Sequence, residues 1–465
     1  MILKFVKRYT FILLIPVARS LVNFALYGTT GGFVLWELVS AGAIITIGVV
    51  RWIRYTLKVE DDRVIINTGL IISVRSVLPL KSISGIYAER SLYSAIFGAV
   101  RIRVGTEACG RKKSDFEFYL SSSEANRLFL CVYGNEKVGY VSRSSIGQII
   151  LLSASSASAL SGMLVAATVF NDAGKLFGDS LHKGVIDTVS FVSAIAGRIV
   201  PPAAAIIAAA LTVGFAISFL IMMLKHSTLI VRFDRLKLNI TQGSVWHKRS
   251  CISRSSIRAY IFEQSPLMWM FRRCSLSVQA AGYGKQNEST AIIPVCKTKE
   301  MNQTAKIVGF GGLPDLTMHQ PKRVISRIVI VPAVVILSLL GLILIATFLL
   351  PRYAHMIILI SAFLAIIASY WLIMRLSCHY TGGISFDEKI RIRGYKRLTI
   401  CDVCFERKYA EYIEVSNGPL DRRKQVNTVR AVINNCSAYS VCVKNLDRVQ
   451  TVSEVSKSFG INICD

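Results

Sequence analysis

The chain repeats one pattern three times: two apolar segments, each long enough to cross a bilayer, followed by a basic soluble stretch of about domain size. Phe11–Tyr27 and Gly32–Val50 form the first pair, Ile146–Phe170 and Val200–Leu224 the second, and Ile328–Leu350 and Ala354–Leu376 the third. At about 1.5 Å per residue, segments of about 17 to 25 residues match a hydrocarbon core of about 30 Å. Six such segments in pairs predict six transmembrane helices in three hairpins. The first is interrupted by Pro16 and Arg19 and follows Lys4, Lys7 and Arg8, as a signal peptide would. No small-residue cleavage site follows it and a second apolar segment comes at once, so it is read as retained.

Charge gives the pattern an orientation. Lys and Arg number 55 against 28 Asp and Glu, a net charge of +27, in a chain that is 52% hydrophobic. The excess sits in the soluble stretches: 15 basic and 9 acidic residues in Arg51–Ile146, 17 and 5 in Lys225–Arg327, and 15 and 10 in Arg375–Asp465. The short connections carry no such excess, since Gly28–Gly31 is uncharged, Asn171–Ile199 balances three of each sign and Pro351–Tyr353 holds only Arg352. By the positive-inside rule both termini and all three soluble stretches are predicted to be cytoplasmic, with the chain in the inner (cytoplasmic) membrane. The expected division is a hairpin over 1–50 and a module over 51–145, then 146–224 and 225–325, then 326–376 and a divergent third module over 377–465.

Each module reads as short strands closed by one helix. In the first, Tyr55–Glu60 and Arg63–Thr68 flank an acidic turn, and Val100–Val104 alternates so that Arg101 and Arg103 share a face. Asp115–Leu120 follows as a strand, and Ser121 with Glu124 makes a capping box for a helix to Val132. The second module repeats the order with strands at Leu229–Phe233, Leu236–Thr241 and Ala291–Val295 and a helix over Lys299–Val308. The third ends with Tyr439–Val443 and a helix over Asp447–Phe459. A small β-barrel or sandwich with a closing helix accommodates this order.

The repetition extends to residues. Aligning Gly69 with Gly243 without a gap for 36 positions matches Arg75 with Arg249, Ser76 with Ser250, Ser82 with Ser256, Ile83 with Ile257, Glu89 with Glu263, Ser91 with Ser265, Phe97 with Phe271 and Val104 with Val278. Nine identities point to internal duplication. In the third module Asn417–Arg423 corresponds best to Gln264–Met270.

Tyr55-Thr56, Asp62-Arg63, Gly69, Ile83, Glu89-Arg90-Ser91 and Phe97-Gly98 together resemble a family signature, that of bacterial pleckstrin-homology-like membrane proteins of the YdbS/YdbT type. The second module keeps Asp234-Arg235, Gly243, Ile257 and Glu263-Gln264-Ser265-Pro266 but has Phe271-Arg272 in place of Phe97-Gly98. The six-span, three-module layout is similar to the longer members. The resemblance implies an α+β membrane protein in which each hairpin is followed by a pleckstrin-homology-like barrel with a C-terminal helix. It brings no reaction, catalytic residue or cofactor, and it implies membrane lipids and a protein partner as ligands, a smaller single-module relative among the candidates.

Searching the residues for chemistry gives little. There is no GxxxxGK[ST], HExxH or GxSxG motif, the six histidines are scattered, and Gly309-Phe310-Gly311-Gly312 reads as a helix stop and linker. Among eleven cysteines, Cys401 and Cys404 have CxxC spacing, with Cys436, Cys442 and Cys464 downstream. Cys436 and Cys442 are too far apart for the second tight pair that zinc favours, so free buried thiols and no metal are expected. The basic balance lacks any nucleic-acid motif, so no nucleic-acid partner is expected. Two groups remain as candidate sites. Lys248, Arg249, Arg254, Arg258, Arg272 and Arg273 form a basic run in the middle module, suited to anionic lipid at the cytoplasmic leaflet. Arg19 and Glu37 lie on opposite arms of the first hairpin as an intramembrane ion pair. The expected function is a non-enzymatic polytopic membrane scaffold, its modules binding partner proteins or anionic head groups; a transport or export component using the spans is the alternative.

Overall fold

The structure is a computed structural model that describes Thr46, Val50 and residues 56–60, 63–68, 73–90, 98–106, 116–134, 140–156, 202–234, 236–244, 247–281, 290–349, 354–396, 399–433 and 439–459. Its first unit begins with an antiparallel sheet of β1 (Thr56–Val59), β2 (Arg63–Thr68) and β3 (Val74–Pro79). A 3-10 turn, Leu80–Ser82, leads to β4 (Ile83–Arg90), β5 (Ala99–Thr106) and β6 (Phe116–Ser121), and α1 (Ser122–Tyr133) closes the unit. The alternation in β5 does what its sequence demands. Val100, Ile102 and Val104 enter the core, while Arg101 reaches Glu117 at 2.7 Å and Arg103 reaches Glu89 at 2.9 Å on the outer face. Helix α1 starts at the capping box of Ser121 and Glu124, lays Ala125, Leu128 and Phe129 on the sheets, and stops at Gly134 with φ of 63°.

Two helices, α2 (Ile146–Ser156) and α3 (Pro202–His226), precede the second unit, which is the first one moved along the chain by 174 residues. β8 (Ile230–Phe233), β9 (Lys237–Gln242) and β10 (His247–Ser253) correspond to the opening sheet, with β7 (Tyr140–Arg143) added beside β8. The turn Arg254–Ser256 leads to β11 (Ile257–Gln264), the short α4 (Pro266–Met270), β12 (Arg273–Ala280), β13 (Thr290–Lys297) and the closing α5 (Met301–Val308). The third unit opens with β14 (Met318–His319), the long helices α6 (Ile325–Leu349) and α7 (Ala354–Thr381), then β15 (Gly383–Phe386), β16 (Lys389–Lys396) and β17 (Thr399–Glu406). After the turn Arg407–Tyr409 come β18 (Ala410–Ser416), α8 (Pro419–Arg423), β19 (Val426–Ile433), β20 (Tyr439–Asp447) and α9 (Arg448–Phe459). The expected correspondence of Asn417–Arg423 with Gln264–Met270 places α8 on α4, each starting with its Pro at the first helical turn.

The units do not close separately. β4 of the first pairs with β10 of the second, and β11 of the second pairs with β17 of the third, so two seven-stranded sheets run β6-β5-β4-β10-β9-β8-β7 and β13-β12-β11-β17-β16-β15-β14. Each unit still buries a core of its own. Val64, Ile86, Ile102 and Leu128 belong to the first, Ile240, Ile252, Leu276 and Val308 to the second, and Ile392, Val403, Val429 and Val443 to the third. Residues cross at the seams: Cys251 enters the first core, Tyr87 and Cys404 the second, and Ala259 and Ile261 the third.

These observations correct the expected fold class. Three separate barrels are replaced by units fused through shared sheets, because the fourth strand of one unit takes the third strand of the next as its neighbour. Six transmembrane helices in three hairpins are not found either. Among the described residues one helix, Lys322–Ile345, is long and apolar enough to cross a membrane by length and composition. The expected spans Phe11–Tyr27 and Gly32–Val50, except for Thr46 and Val50, and most of Ile146–Phe170 lie outside the described residues. The described end of that last segment, α2, instead packs Leu152 against Met268 and Val295 of the second unit.

Candidate functional site

The seams bring the three 3-10 turns to one place. Leu80–Ser82, Arg254–Ser256 and Arg407–Tyr409 each join the third strand of a unit to its fourth. Because the seams pair those same strands, the turns gather around a cleft of about 1280 Å³ lined by residues from all three units. Six of its lining side chains are cations, Lys81, Lys237, Arg254, Arg258, Lys389 and Lys408, and two are carboxylates, Asp234 and Glu406. Apolar walls come from Leu236, Ile257, Tyr260 and Phe310, the last two with ring centroids 4.9 Å apart.

Several of these cations also fasten the units. Lys237 donates from Nζ to the carbonyl of Tyr133 at the end of α1, and Lys389 donates to the carbonyl of Phe310 just beyond α5. Each lies where the carbonyls of a helix C-terminus want a donor. Lys389 also stands 4.6 Å from the centroid of the Phe310 ring. Arg254 donates from Nη2 to the carbonyl of Gly309 at 2.7 Å, and Gly309, the cap of α5, has φ of 87°. A Cβ at Gly309 would fall on that guanidinium, so both conformation and packing require glycine there. Arg258 stacks 4.4 Å from the Tyr409 ring centroid with its Nε buried and without a hydrogen-bond partner.

Hydrogen bonds to carbonyls satisfy donors without removing their charge. Lys408 stands 2.6 Å from Glu406. With six cations against two carboxylates in its lining, the cleft is positive between partly apolar walls, where an anion is worth more than it would be in open water.

The structure divides the basic run expected to bind lipid. Arg254 and Arg258 line the cleft. Lys248 and Arg249 belong to the first seam: Lys248 is 3.4 Å from Glu89, and Arg249 lies over the Phe129 ring at 4.6 Å and bonds Asn126 at 3.3 Å. Arg272, with φ of 52°, and Arg273 stand at the other end of the eight-residue β11, about 26 Å along the strand from Arg254. Arg19 and Glu37 lie outside the described residues. Lys81, Lys237, Lys389 and Lys408 escaped the sequence reading. The Ser82–Ser256 match falls in two of the turns, but nothing local to a turn announces that three of them converge.

The CxxC pair lies along β17, where residues three apart point to opposite faces. Cys401 accordingly packs in the third core and Cys404 in the second, and both are free thiols. Burial pushes the Cys401 thiol up to about 11 and raises that of Cys404 as well, which leaves both as inert packing groups. A closer thiol pair, unmarked by any spacing motif, joins Cys274 and Cys296 across β12 and β13 with sulfurs 3.2 Å apart.

A family model described as "Bacterial PH domain" matches residues 11–133 and 186–309, which end with α1 of the first unit and just past α5 of the second. No curated protein and no solved structure matches the chain. The two matched stretches cover just over half of the 465 residues, and the sheet–turn–sheet–helix order recurs within them. The chain belongs to the bacterial PH domain family.

Proposed function

We propose that the chain is a non-enzymatic, membrane-associated binding scaffold whose junction cleft receives the acidic head group of a lipid. The observation that carries this reading is the convergence of three equivalent turns on one cleft with six cations against two carboxylates. PH-like domains suggest binding of lipids or proteins, and here the charge favours an anionic ligand. The third unit, beyond the matched stretches, is read as a divergent module of the same kind, which would make the chain a three-module relative of the YdbS/YdbT type.

Attachment to the membrane rests on Lys322–Ile345. Its apolar side chains are displayed outward, with Leu337 at 71% and Val334 at 59% exposure. The root of that helix is held by the third unit, where Arg323 bonds Asp447 at 2.6 Å and the carbonyl of Gln425 at 3.0 Å, and Lys424 bonds Ser326 at 2.8 Å. Lys322, Arg323 and Arg327 at this end support, by the positive-inside rule, a cytoplasmic position for the units, facing the anionic leaflet.

The test uses the full chain in neutral detergent, titrated with fluorescent short-chain phosphatidylglycerol and, separately, phosphatidylcholine. The anionic probe binds, and its binding weakens as salt rises. At about 1 kcal/mol per cation, the combined changes Lys81→Gln, Arg254→Gln, Arg258→Gln and Lys408→Gln weaken it at least tenfold. Arg272→Gln with Arg273→Gln leaves it unchanged. Equal binding of both probes, or equal loss in the two variants, would remove the cleft from the function.

A further inference from the structure

The two seams are copies of one junction, and among the described residues the first and third units each hold half of another. In the first seam Cys251 faces Ile86, and in the second Cys404 faces Tyr260. Each cysteine lies three residues before the 3-10 turn of its own unit, and each partner lies four residues after the turn of the preceding one. The register is therefore the same. Each seam also carries a lysine at the start of the unit's second strand, Lys237 opposite Ser253 and Lys389 opposite Glu406, and each reaches the C-terminal end of the preceding unit's closing helix.

The same half-junctions lie open at the two ends. β3 is the third strand of the first unit and β18 the fourth strand of the last; both are edge strands of their sheets among the described residues. Val77, which occupies the place of Cys251 and Cys404, is 48% exposed where those cysteines are 2% and 0% exposed. Val74 and Tyr412 add further exposed apolar surface, at 52% and 51%. Natural edge strands are ordinarily blunted by charge or covered, and an exposed apolar edge is a template for another strand. The seam cation is present too. Arg63 pairs with Pro79 across β2 and β3, the position of Lys237 and Lys389, and its guanidinium rests on Glu60 at 2.6 Å in an exposed pair.

We infer that the chain associates with a second copy of itself head to tail, β18 of one molecule adding to β3 of the next in the register of the two internal seams. Ile413 then faces Val77, and Arg63 turns from Glu60 toward the C-terminal end of α9 of the neighbouring molecule. Pro79 offers no obstacle, because its counterpart Ser253 lies just beyond the last paired residues of the first seam, Ile252 and Gly85. Such an interface is heterologous: each molecule keeps one free end, and growth continues unless the geometry closes a ring. This inference is independent of the lipid reading, since it concerns strand edges and not the cleft.

The experiment is light scattering on the full chain in mild detergent, with the edges blocked one at a time. On an edge strand alternate N–H groups face outward, so one of Tyr412→Pro and Ile413→Pro removes an outward donor, as does one of Ser76→Pro and Val77→Pro. From each pair the variant that melts at the wild-type temperature is used. The wild type gains mass with concentration beyond a single chain, each blocked variant alone stays monomeric, and an equimolar mixture of the two forms a one-to-one dimer that grows no further. Only a head-to-tail contact gives that last result, because each variant retains the end its partner lacks. A wild type that is monomeric at every concentration, a blocked variant that still associates, or a mixture that stays monomeric would overturn the proposal and leave the edges to another PH-like chain.

Discussion

The two seams share a backbone register and differ in the charges carried along it. At β4 and β10 the lock is Glu89, 2.9 Å from Arg103 and 3.4 Å from Lys248 across the seam. Burial works against its charge, but Lys248 and Arg103 prevail and hold the carboxyl below its usual range. The same place in the second seam is Glu263, which faces Cys401. Burial there outweighs the distant Lys396 and raises the carboxyl. The buried carboxylate beside the second seam sits on the opposite strand and pairs within the third unit. Asp402 of β17 accepts from Arg391 at 3.0 and 2.7 Å, with Arg393 at 3.9 Å, and its side chain is only 3% exposed. The strand ladder fixes the geometry of a junction, and the ion pairs on it can change place without changing that geometry.

The largest effect is expected where the lock is most buried. Asp402→Asn leaves Arg391 and Arg393 without a carboxylate and should cost about 3–5 kcal/mol, read as a lower denaturation midpoint and faster hydrogen exchange in β16 and β17. A change below about 1 kcal/mol would mean that the pairing of β16 with β17 rests on its ladder alone. Glu89→Gln should cost less, about 1.5–3 kcal/mol at neutral pH, as expected for hydrogen bonds to a charged group. Because its folded-state pKa is depressed, that stability is present above the ordinary Glu range and disappears as pH falls through the folded value. Wild type and variant should therefore converge on acidification, and a pH-independent gap would remove the charge from the explanation.

Gly309→Ala should cost about 2 kcal/mol, from the left-handed backbone and the displaced Arg254 bond, and should loosen α5 before it loosens α1. Glu263→Gln is the smallest change and has the opposite sign. A raised folded-state pKa means that the wild-type carboxylate loses stability as pH rises through that value. The variant should then be equal to or slightly more stable than wild type at neutral pH, and should lose this advantage in acid. If Glu89→Gln and Glu263→Gln shift the melting temperature in the same direction, the contrast between the seams fails.

Local structure was legible where one segment decides it. Ser121 and Glu124 announced α1, the Val100–Val104 alternation announced β5, and the glycines after Val308 announced the stop of α5. The duplication was legible as well, since β4 and β11, and β5 and β12, keep a spacing of 174 residues. The seams were not. β4 meets β10 through residues far apart in the chain, and a strand's side-chain pattern reads the same whether its neighbour belongs to its own unit or the next. The cleft depends on the seams, so four of its six cations were missed and a contiguous basic run was taken for a site that the fold divides. Hydropathy alone also overstated the spans: of the expected span Ile146–Phe170, the described part Ile146–Ser156 is used to cover Met268 and Val295.

The most direct test of the central claim is to map where an anionic head group rests. The full chain in neutral detergent would be irradiated with an acidic lipid that carries a photoreactive head group, digested, and the labelled peptides identified by mass spectrometry. Labels are expected on the segments containing Leu80–Ser82, Arg254–Ser256 and Arg407–Tyr409, with competition by unlabelled acidic lipid and not by neutral lipid. Labels confined to α6, or spread evenly over the basic surface including Arg272 and Arg273, would contradict the assignment of the cleft.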